Sequence, residues 1–229
     1  MPDPPHPFAT RAGLKLAAAL DAFGIDVRGK ACVDLGCNAG GFTDCLLQRG
    51  AARVHAVDTA YGLLAWRLRC DNRVQVHERC NALHVDPGEL PGAAPCDLAT
   101  VDLGWTRQAL AVPAALRWLK QEPGTHIVSL IKPHYEGGTS GPLRTVLPVE
   151  EAEATCARVL TELPACGVRV LGHVASPIRG GKRQKGNYEY LVLLEPARHP
   201  HWPPSAVLAP PPPERDHNPE QADDRSRHR

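Results

Sequence analysis

Residues 33–42, Val-Asp-Leu-Gly-Cys-Asn-Ala-Gly-Gly-Phe, form the stretch that decides the fold of this chain. The apolar run 31–35 has the length and the β-branched content of a buried strand. Gly36, Gly40 and Gly41 then predict a tight turn, and the amphipathic segment that follows predicts a helix. A helix start offers unpaired N–H groups, and glycines let a ligand approach the backbone. This strand–turn–helix unit therefore predicts a ligand-binding site.

The acidic residues around the turn favour one cofactor. Asp34 precedes Gly36 closely, and a carboxylate there would repel a pyrophosphate but would suit the sulfonium and ammonium groups of S-adenosylmethionine (SAM). Asp58 ends a predicted second strand, where an acid can accept hydrogen bonds from both hydroxyls of a ribose. Two alternatives remain, a nicotinamide or flavin dinucleotide and a glycine turn without a ligand. The residues expected to bind SAM are Asp34, Gly36, Gly40, Gly41 and Asp58.

The composition narrows the class of protein. The chain has 229 residues, a formal net charge of +1 and 8 cysteines. This length fits one domain with an appendage, and so small a net charge does not by itself indicate nucleic acid. The cysteines form no Cys-x-x-Cys pair and several lie in apolar runs, which predicts buried thiols, no metal site and a cytoplasmic location. The sequence shows no signal peptide and no bilayer-length apolar run, so we expect no membrane contact.

Predicted strands and helices alternate along the chain. This alternation is typical of an α/β domain with a mostly parallel, doubly wound sheet. We expect the domain to span residues 10–196, after an N-terminal arm (1–9) and before a proline-rich disordered tail (197–229). The glycine-rich segment 134–148 is predicted to be a mobile loop and a candidate lid. The predicted strands are 31–35, 54–58, 74–77, 98–102, 125–131, 168–175 and 188–194, and the predicted helices are 12–23, 42–49, 61–69, 107–120 and 149–163.

Charged residues follow the predicted strands at the edge where α/β sheets bind ligands. Lys132 comes directly after a buried strand, which is unusual because burial disfavours the charge of a lysine. Asp102 could hold Lys132, and a nearby cation such as Lys15 could make a neutral amine available as a general base. Glu189, in the last predicted strand, could complete the set. Each of these residues alone also has an ordinary structural explanation, as a cap, a surface lysine or a strand-edge carboxylate.

Basic residues cluster between the last two predicted strands. Arg179, Lys182, Arg183 and Lys185 are interleaved with glycines and could contact the phosphates of RNA. Arg11, beside the N-terminal arm, could add to this surface. The alternative is an ordinary solvated loop.

Five segments carry a resemblance to a known family. They are Thr-Arg-Ala-Gly-Leu-Lys (10–15), Gly-Phe-Thr-Asp-Cys-Leu-Leu-Gln (41–48), Ala-Val-Asp (56–58), Leu-Ile-Lys-Pro (130–133) and Gly-Asn-Tyr-Glu (186–189). Through these segments the chain resembles the FtsJ/TlyA-type RNA 2′-O-methyltransferases, and their TlyA branch in particular, over roughly residues 8–195. The resemblance implies a Rossmann-like SAM-dependent methyltransferase fold, with a seven-stranded sheet whose last strand is antiparallel.

The resemblance also implies roles for individual residues. It implies that Lys132 takes the proton of a ribose 2′-hydroxyl, that Asp102 and Lys15 orient this base, and that Glu189 holds Lys15 or the substrate. Asn81 would lie beside the adenine of SAM, and Asp102 near its methyl group. The implied partner is RNA, with ribosomal RNA as the expected substrate. The positions implied for cofactor binding are Gly40, Phe42, Asp58, Asn81 and Asp102.

The chain departs from the family pattern in three places. TlyA-type proteins usually carry an N-terminal S4 RNA-binding domain, which we expect this chain to lack because its family motifs begin near residue 10. The turn residues 37–39 and the segment 103–106 also differ from the family's usual residues, which leaves the RNA substrate open. Two other functions are considered, an inactive SAM- or RNA-binding ribosome assembly factor and a membrane-lytic protein. No amphipathic segment favours the latter, and the sequence predicts no oligomeric state.

Overall fold

The computed structural model describes residues 6–137, 146–181 and 186–197. Several sequence predictions concern other parts of the chain. The predicted tail beyond Ala197, the centre of the candidate lid and the start of the N-terminal arm lie outside the described residues. The same holds for three of the predicted RNA-binding residues, Lys182, Arg183 and Lys185.

Within the described residues, seven strands form one sheet. They are β1 (Ala31–Leu35), β2 (Arg53–Val57), β3 (Val74–His77), β4 (Leu98–Val101), β5 (His126–Ile131), β6 (Val168–Ala175) and β7 (Tyr190–Pro196). Their order across the sheet is β3-β2-β1-β4-β5-β7-β6. Strands β1 to β5 pair in parallel, and β7 is antiparallel to both of its neighbours, β5 and β6. This arrangement confirms the predicted α/β fold with an antiparallel last strand.

Helices cover both faces of the sheet. The first two helices share an apolar cluster with one face, and the fourth and sixth share a cluster with the other. Because both faces are covered, the central strands are almost continuously apolar and buried, as expected for a parallel sheet. The helices are α1 (Ala12–Phe23), α2 (Gly41–Gln48), α3 (Trp66–Arg69), α4 (Gln108–Leu116), α5 (Pro133–Glu136) and α6 (Val149–Glu162).

The predicted helix 61–69 is wrong in its first half, since α3 begins only at Trp66. Gly62 has a left-handed backbone (φ 74°), which interrupts a helix. Its N–H donates to Oε1 of Glu78 at 2.8 Å, so a tertiary contact holds this segment in an irregular conformation. Ala65, with φ −53° and ψ 135°, is not helical and directly precedes the helix.

The predicted loop 134–148 is wrong at its start, where Pro133–Glu136 form α5. Proline at the first helical position is favourable because its fixed φ suits a helix start. The carboxylate of Glu136 accepts a hydrogen bond from the N–H of Gln108 at 2.8 Å, which ties this turn to α4. A second boundary also differs, because Glu189 was expected inside the last strand and β7 begins one residue later.

The described helices are all too short or too polar to cross a lipid bilayer. The buried cysteines behave as packing residues, as the sequence predicted. Burial raises the pKa of the Cys45 thiol to about 12, so this thiol stays protonated near neutral pH. The buried cysteines are Cys32, Cys37, Cys45, Cys96 and Cys156.

Candidate active site

The turn between β1 and α2 has the backbone that its glycines predict. Gly36 and Gly40 have φ values of 89° and 98°, a region that other residues rarely adopt. The N–H groups of Gly36 and Cys37 donate to the carbonyl of Val57 at 2.9 and 3.1 Å, which ties the turn to the end of β2. The turn is therefore fixed in a conformation that directs the start of α2 toward the carboxyl edge of the sheet.

The same glycines are required by packing inside the protein, which the sequence did not indicate. A Cβ atom on Gly36 would lie 2.7 Å from the carbonyl oxygen of Asp102. A Cβ atom on Gly40 would overlap Leu68, and one on Gly41 would overlap the hydroxyl of Thr10. Small residues here let α1 and α3 and the end of β4 approach the turn closely.

Asp34 lies beneath this turn and is 0% exposed. Its carboxylate accepts hydrogen bonds from the hydroxyls of Thr43 at 2.7 Å and Thr100 at 3.2 Å. Burial raises the pKa of Asp34 to about 7, and the nearby Asp102 carboxylate adds to the rise. The side chain of Asp34 has no exposed surface in this structure, so its predicted role in SAM binding stays a prediction and would act through charge rather than contact. Thr43 and Thr100 had not been identified from the sequence.

Three further residues were predicted to bind the cofactor, namely Asp58, Asn81 and Phe42, and their surroundings differ. The carboxylate of Asp58 accepts hydrogen bonds from the N–H groups of Asn38 and Ala60, both at 2.8 Å, so it closes the turn at the position predicted to bind a ribose. Asn81 is exposed after the end of β3. The ring of Phe42 is only 3% exposed and packs in the core, so Phe42 can offer a ligand only its backbone.

Lys132 and Asp102 come together at the ends of two neighbouring strands. Parallel pairing of β4 with β5 brings the two strand ends side by side. The amine of Lys132 lies 2.5 Å from Oδ1 of Asp102, and their side chains are 12% and 18% exposed. The amine also donates to the carbonyl of Leu103 at 2.9 Å. The predicted pair is confirmed, and the carbonyl of Leu103 is a partner that the sequence did not predict.

Lys15 and Glu189 form a second ion pair although 174 positions separate them along the chain. Nζ of Lys15 lies 2.5 Å from Oε2 of Glu189, and the side chains are 9% and 4% exposed. The pair links α1 to the residue that precedes β7. Lys15 is thus bound to Glu189, which is one of the two contacts that the family resemblance implied for Glu189, whereas the residues alone had suggested a cation that perturbs Lys132.

His134 and Tyr135 lie in the electrostatic field of both ion pairs. Burial lowers the pKa of His134, and the positive charges of Lys132 and Lys15 lower it further. Burial raises the pKa of Tyr135, and the carboxylates of Glu189 and Asp102 raise it further. Both ion pairs therefore act electrostatically on the same two side chains. Neither ring had been assigned to it, although both follow Lys132 closely in the sequence.

An exposed aromatic residue stands beside this site. Trp105 is 72% exposed and has a φ of 55°, which is unusual for a bulky residue. Its ring stacks on Tyr135 with centroids 5.1 Å apart, and the amine of Lys132 lies 5.7 Å from the Tyr135 ring centroid. A large exposed indole in a strained backbone is a candidate for ligand contact.

Two of the predicted RNA-binding residues lie close to each other. The guanidinium of Arg11 donates to the carbonyl of Arg179 at 3.1 Å. The guanidinium of Arg179 lies over the ring of Tyr188, 3.9 Å from its centroid. The structure therefore joins the start of α1 to the loop after β6, near the Lys15–Glu189 pair.

The residues at the carboxyl edge of the sheet fit SAM. The left-handed glycine turn leaves room for a ligand at the start of α2, and the first N–H groups of a helix have no partner within the helix. Asp58 offers a carboxylate to ribose hydroxyls. The buried carboxylate of Asp34 suits a cationic ligand better than a pyrophosphate.

Comparisons with known proteins agree with this geometry. Residues 8–195 match the family model described as FtsJ-like methyltransferase. The chain is 38% identical to the 16S/23S rRNA (cytidine-2′-O)-methyltransferase TlyA of Mycobacterium tuberculosis, over 84% of this chain and 70% of that protein. It is 33% identical to Hemolysin A of Brachyspira hyodysenteriae, over 81% and 75% of the two chains. A solved structure of a candidate hemolysin from Lactococcus lactis superposes with a TM-score of 0.73 at 33% identity, covering 82% of this chain and 88% of that one.

Proposed function

The chain belongs to the FtsJ-like methyltransferase family, whose cofactor is SAM, and on this premise we propose that it methylates ribose 2′-hydroxyl groups of ribosomal RNA. The contact between Lys132 and Asp102 beside the glycine turn carries the proposal. The similarity of the chain to TlyA, a protein named for 2′-O-methylation of rRNA, supports ribose 2′-hydroxyl groups as the acceptor. An acceptor hydroxyl at the ribose 2′ position exists only in RNA.

Lys132 serves as the general base in this proposal. A ribose hydroxyl is a weak nucleophile, and bound SAM supplies a methyl group already activated by its sulfonium. The protein must therefore align the hydroxyl and remove one proton, so that positioning dominates catalysis. Asp102 and the carbonyl of Leu103 fix the direction of the Lys132 amine from two sides. Lys132 would act in its neutral, unprotonated form: its amine would accept the hydroxyl proton while the oxygen replaces sulfur on the methyl carbon and S-adenosylhomocysteine leaves.

Lys15 and Glu189 support the reaction from the other side of the site. Their ion pair is almost fully buried and joins the N-terminal helix to the last strand. A buried pair with good geometry holds its two elements in one register. We assign Lys15 and Glu189 the positioning of the substrate-facing wall that contains His134 and Tyr135.

Trp105 gives the target nucleotide a surface to bind. Its exposed ring, already stacked on Tyr135, offers an aromatic face beside the proposed base. Unpaired bases stack on such faces with little dependence on sequence. The base of the target nucleotide can therefore stack on Trp105 while its ribose faces Lys132.

Transfer of a labelled methyl group tests the proposal. Ribosomal subunits from cells that lack this gene are incubated with the protein and tritiated SAM, and ribose methylation is mapped by resistance to alkaline cleavage. We expect one or a few resistant nucleotides, formed only with the active protein. Label on a base, or on no RNA, would contradict the proposal. Binding of SAM and RNA without any transfer would instead indicate an inactive assembly factor.

A further inference from the structure

Asp34 is a buried carboxylate whose hydrogen-bond partners are all neutral. Its two oxygens are bound by the hydroxyls of Thr43 and Thr100. Among the residues that the structure describes, no lysine, arginine or histidine lies within ion-pair distance of it. A fully buried ionised carboxylate without a cation is unfavourable, because burial removes its hydration. The carboxylate of Asp34 therefore has no positively charged partner among the described residues.

The titratable groups that interact with Asp34 lie on β1, on the glycine turn, on α2 and at the end of β4. Asp102, at the end of β4, raises the pKa of Asp34 and is also the residue that binds Lys132. The thiols of Cys32, Cys37 and Cys45 lie within its field, and burial keeps all three protonated. Among the described residues, the charged group that raises the pKa of Asp34 is Asp102, so Asp34 is coupled electrostatically to the proposed reacting end of the site.

We propose that Asp34 senses the charge of the cofactor through the glycine turn, losing its proton when sulfonium-bearing SAM binds and regaining it when the neutral thioether S-adenosylhomocysteine (SAH) is formed. SAM and SAH share an ammonium and a carboxylate and differ in charge only at sulfur. A positive charge in front of the turn favours the ionised form of Asp34, whereas a neutral sulfur does not. Asp34 thereby makes the site prefer the cofactor to its product. This inference depends on SAM as the cofactor and goes beyond the proposed acceptor.

The sign of the pH dependence follows from linkage. Asp34 in the free protein has a pKa of about 7, and bound SAM lowers it, so binding releases a proton. The affinity for SAM therefore rises as the pH increases toward 7 and levels off above it. A lowering by about one pKa unit corresponds to a roughly ten-fold gain in affinity across this window. The affinity for SAH rises less, and the SAM-to-SAH preference increases with pH.

Calorimetric titration of the full chain with SAM and with SAH tests the inference without any RNA. Titrations from pH 5.5 to 8 in two buffers of different ionisation enthalpy give the affinity and the number of protons released. Because the amino group is common to both ligands, the difference between SAM and SAH isolates the sulfonium. We expect proton release to be larger for SAM and the affinity ratio to rise about ten-fold over this range.

Three variants decide the outcome. In Asp34→Asn, the SAM-to-SAH ratio should become independent of pH, whereas Asp26→Asn, which removes an exposed carboxylate, should leave it unchanged. Thr100→Val removes a hydroxyl that stabilises the ionised form, so it should move the midpoint to higher pH. An unchanged pH dependence in Asp34→Asn would overturn the inference. If that variant does not fold, an unchanged midpoint in Thr100→Val would do the same. Because these titrations contain no RNA, they would give the same result even if the protein did not methylate RNA.

Discussion

At the scale of single residues, the site is built from buried charges that depend on one another. Lys15 and Glu189 are almost fully buried, and each supplies the only counter-charge that the ion-pair contacts of the described residues show for the other. Removing one partner of such a pair leaves an isolated buried charge, which destabilises a fold far more than removing both. The stability of the protein should therefore report this pairing directly.

We predict that Lys15→Met lowers the free energy of unfolding by about 3 kcal/mol, because it leaves Glu189 buried and unpaired. The double variant Lys15→Met/Glu189→Gln should recover most of this loss, since it removes both charges with little change of shape. Urea denaturation at pH 8 measures both values. A double variant as unstable as the single one would contradict the pairing.

A second residue-scale prediction concerns the histidines of the core. Nδ1 of His55 lies 3.2 Å from Nε2 of His77, and the ring of Trp118 packs against both. Burial, the second histidine and Arg53 lower the pKa of His55 to about 4. The unfolded chain therefore binds a proton at His55 at a higher pH than the folded protein does, so stability is lost as the pH falls below about 6.5.

We expect wild-type protein to lose about 2 kcal/mol more stability between pH 7 and pH 5 than His55→Phe, in which this position no longer titrates. Denaturation curves at the two pH values give the difference. His84→Phe, at an exposed position, is a control and should keep the wild-type pH dependence. Equal pH dependence in wild type and His55→Phe would show that His55 is not held neutral.

Sequence reasoning identified the charged residues of the site but not all of their surroundings. Lys132 and Asp102 could be paired because both follow strands that end at the same edge of a parallel sheet. The surroundings of the buried Asp34 carboxylate could not be predicted, because its hydroxyl partners come from two other elements, α2 and β4. Periodicity shows which face of a strand is buried, but it does not show which polar group another element places there.

At the scale of elements, the glycine turn connects the cofactor site to the catalytic strand. Gly36 and Gly29 both have left-handed backbones, with φ values of 89° and 70°. A Cβ atom at Gly29 would meet nothing within 4 Å, whereas one at Gly36 would press on the backbone of Asp102. The two positions therefore share the strain of a positive φ and differ in packing.

Gly36→Ala should lower the rate of methyl transfer by roughly 100-fold, because a small displacement of Asp102 misaligns the reacting groups. Gly29→Ala is the matched control and should keep the rate while it costs about 1 kcal/mol in stability. Transfer assays and denaturation curves of the two variants give the comparison. Equal rates would show that Gly36 does not position Asp102.

The element boundaries that sequence missed are those set by tertiary contacts. The bounds of α1, β1, β3 and β6 match the predictions because their apolar periodicity is regular. Segment 61–69 also has helical periodicity, yet the contact of Gly62 with Glu78 keeps its first half irregular. Glycine content suggested a loop after Lys132, but Pro133 and the contact of Glu136 with α4 start a helix there.

At the scale of the whole molecule, the sheet brings together residues from both ends of the chain. Predicted strands could be placed at one edge because alternating strands and helices give parallel pairing. The insertion of β7 between β5 and β6 brings the residue before it to α1, and this antiparallel placement came from the family resemblance, since the apolar pattern of β7 does not specify its neighbours. The order of strands in a sheet depends on contacts between distant segments, so local sequence patterns do not predict it.

The net charge of the whole molecule also constrains how RNA is bound. With a formal charge of only +1, the affinity for RNA must come from local basic clusters.

We predict that neutralising Lys182, Arg183 and Lys185 with alanine weakens RNA binding and reduces the slope of log affinity against log salt by about 2. SAM affinity should not change. Filter-binding assays from 50 to 300 mM salt measure the slope, with the exposed Arg28→Ala as a control, and an unchanged slope would exclude this loop from the RNA surface.

The most direct test compares Lys132→Ala with Lys120→Ala in parallel assays of SAM binding and methyl transfer to ribosomal subunits. Lys120 is the matched control, because it also pairs with an aspartate, Asp97 at 2.6 Å, and both side chains are partly exposed. We predict that Lys132→Ala keeps its SAM affinity but transfers methyl groups about 1,000-fold more slowly, since a general base and its alignment are lost, while Lys120→Ala keeps the wild-type rate. Transfer by Lys132→Ala at a rate close to that of wild type would contradict the assignment of Lys132 as the base.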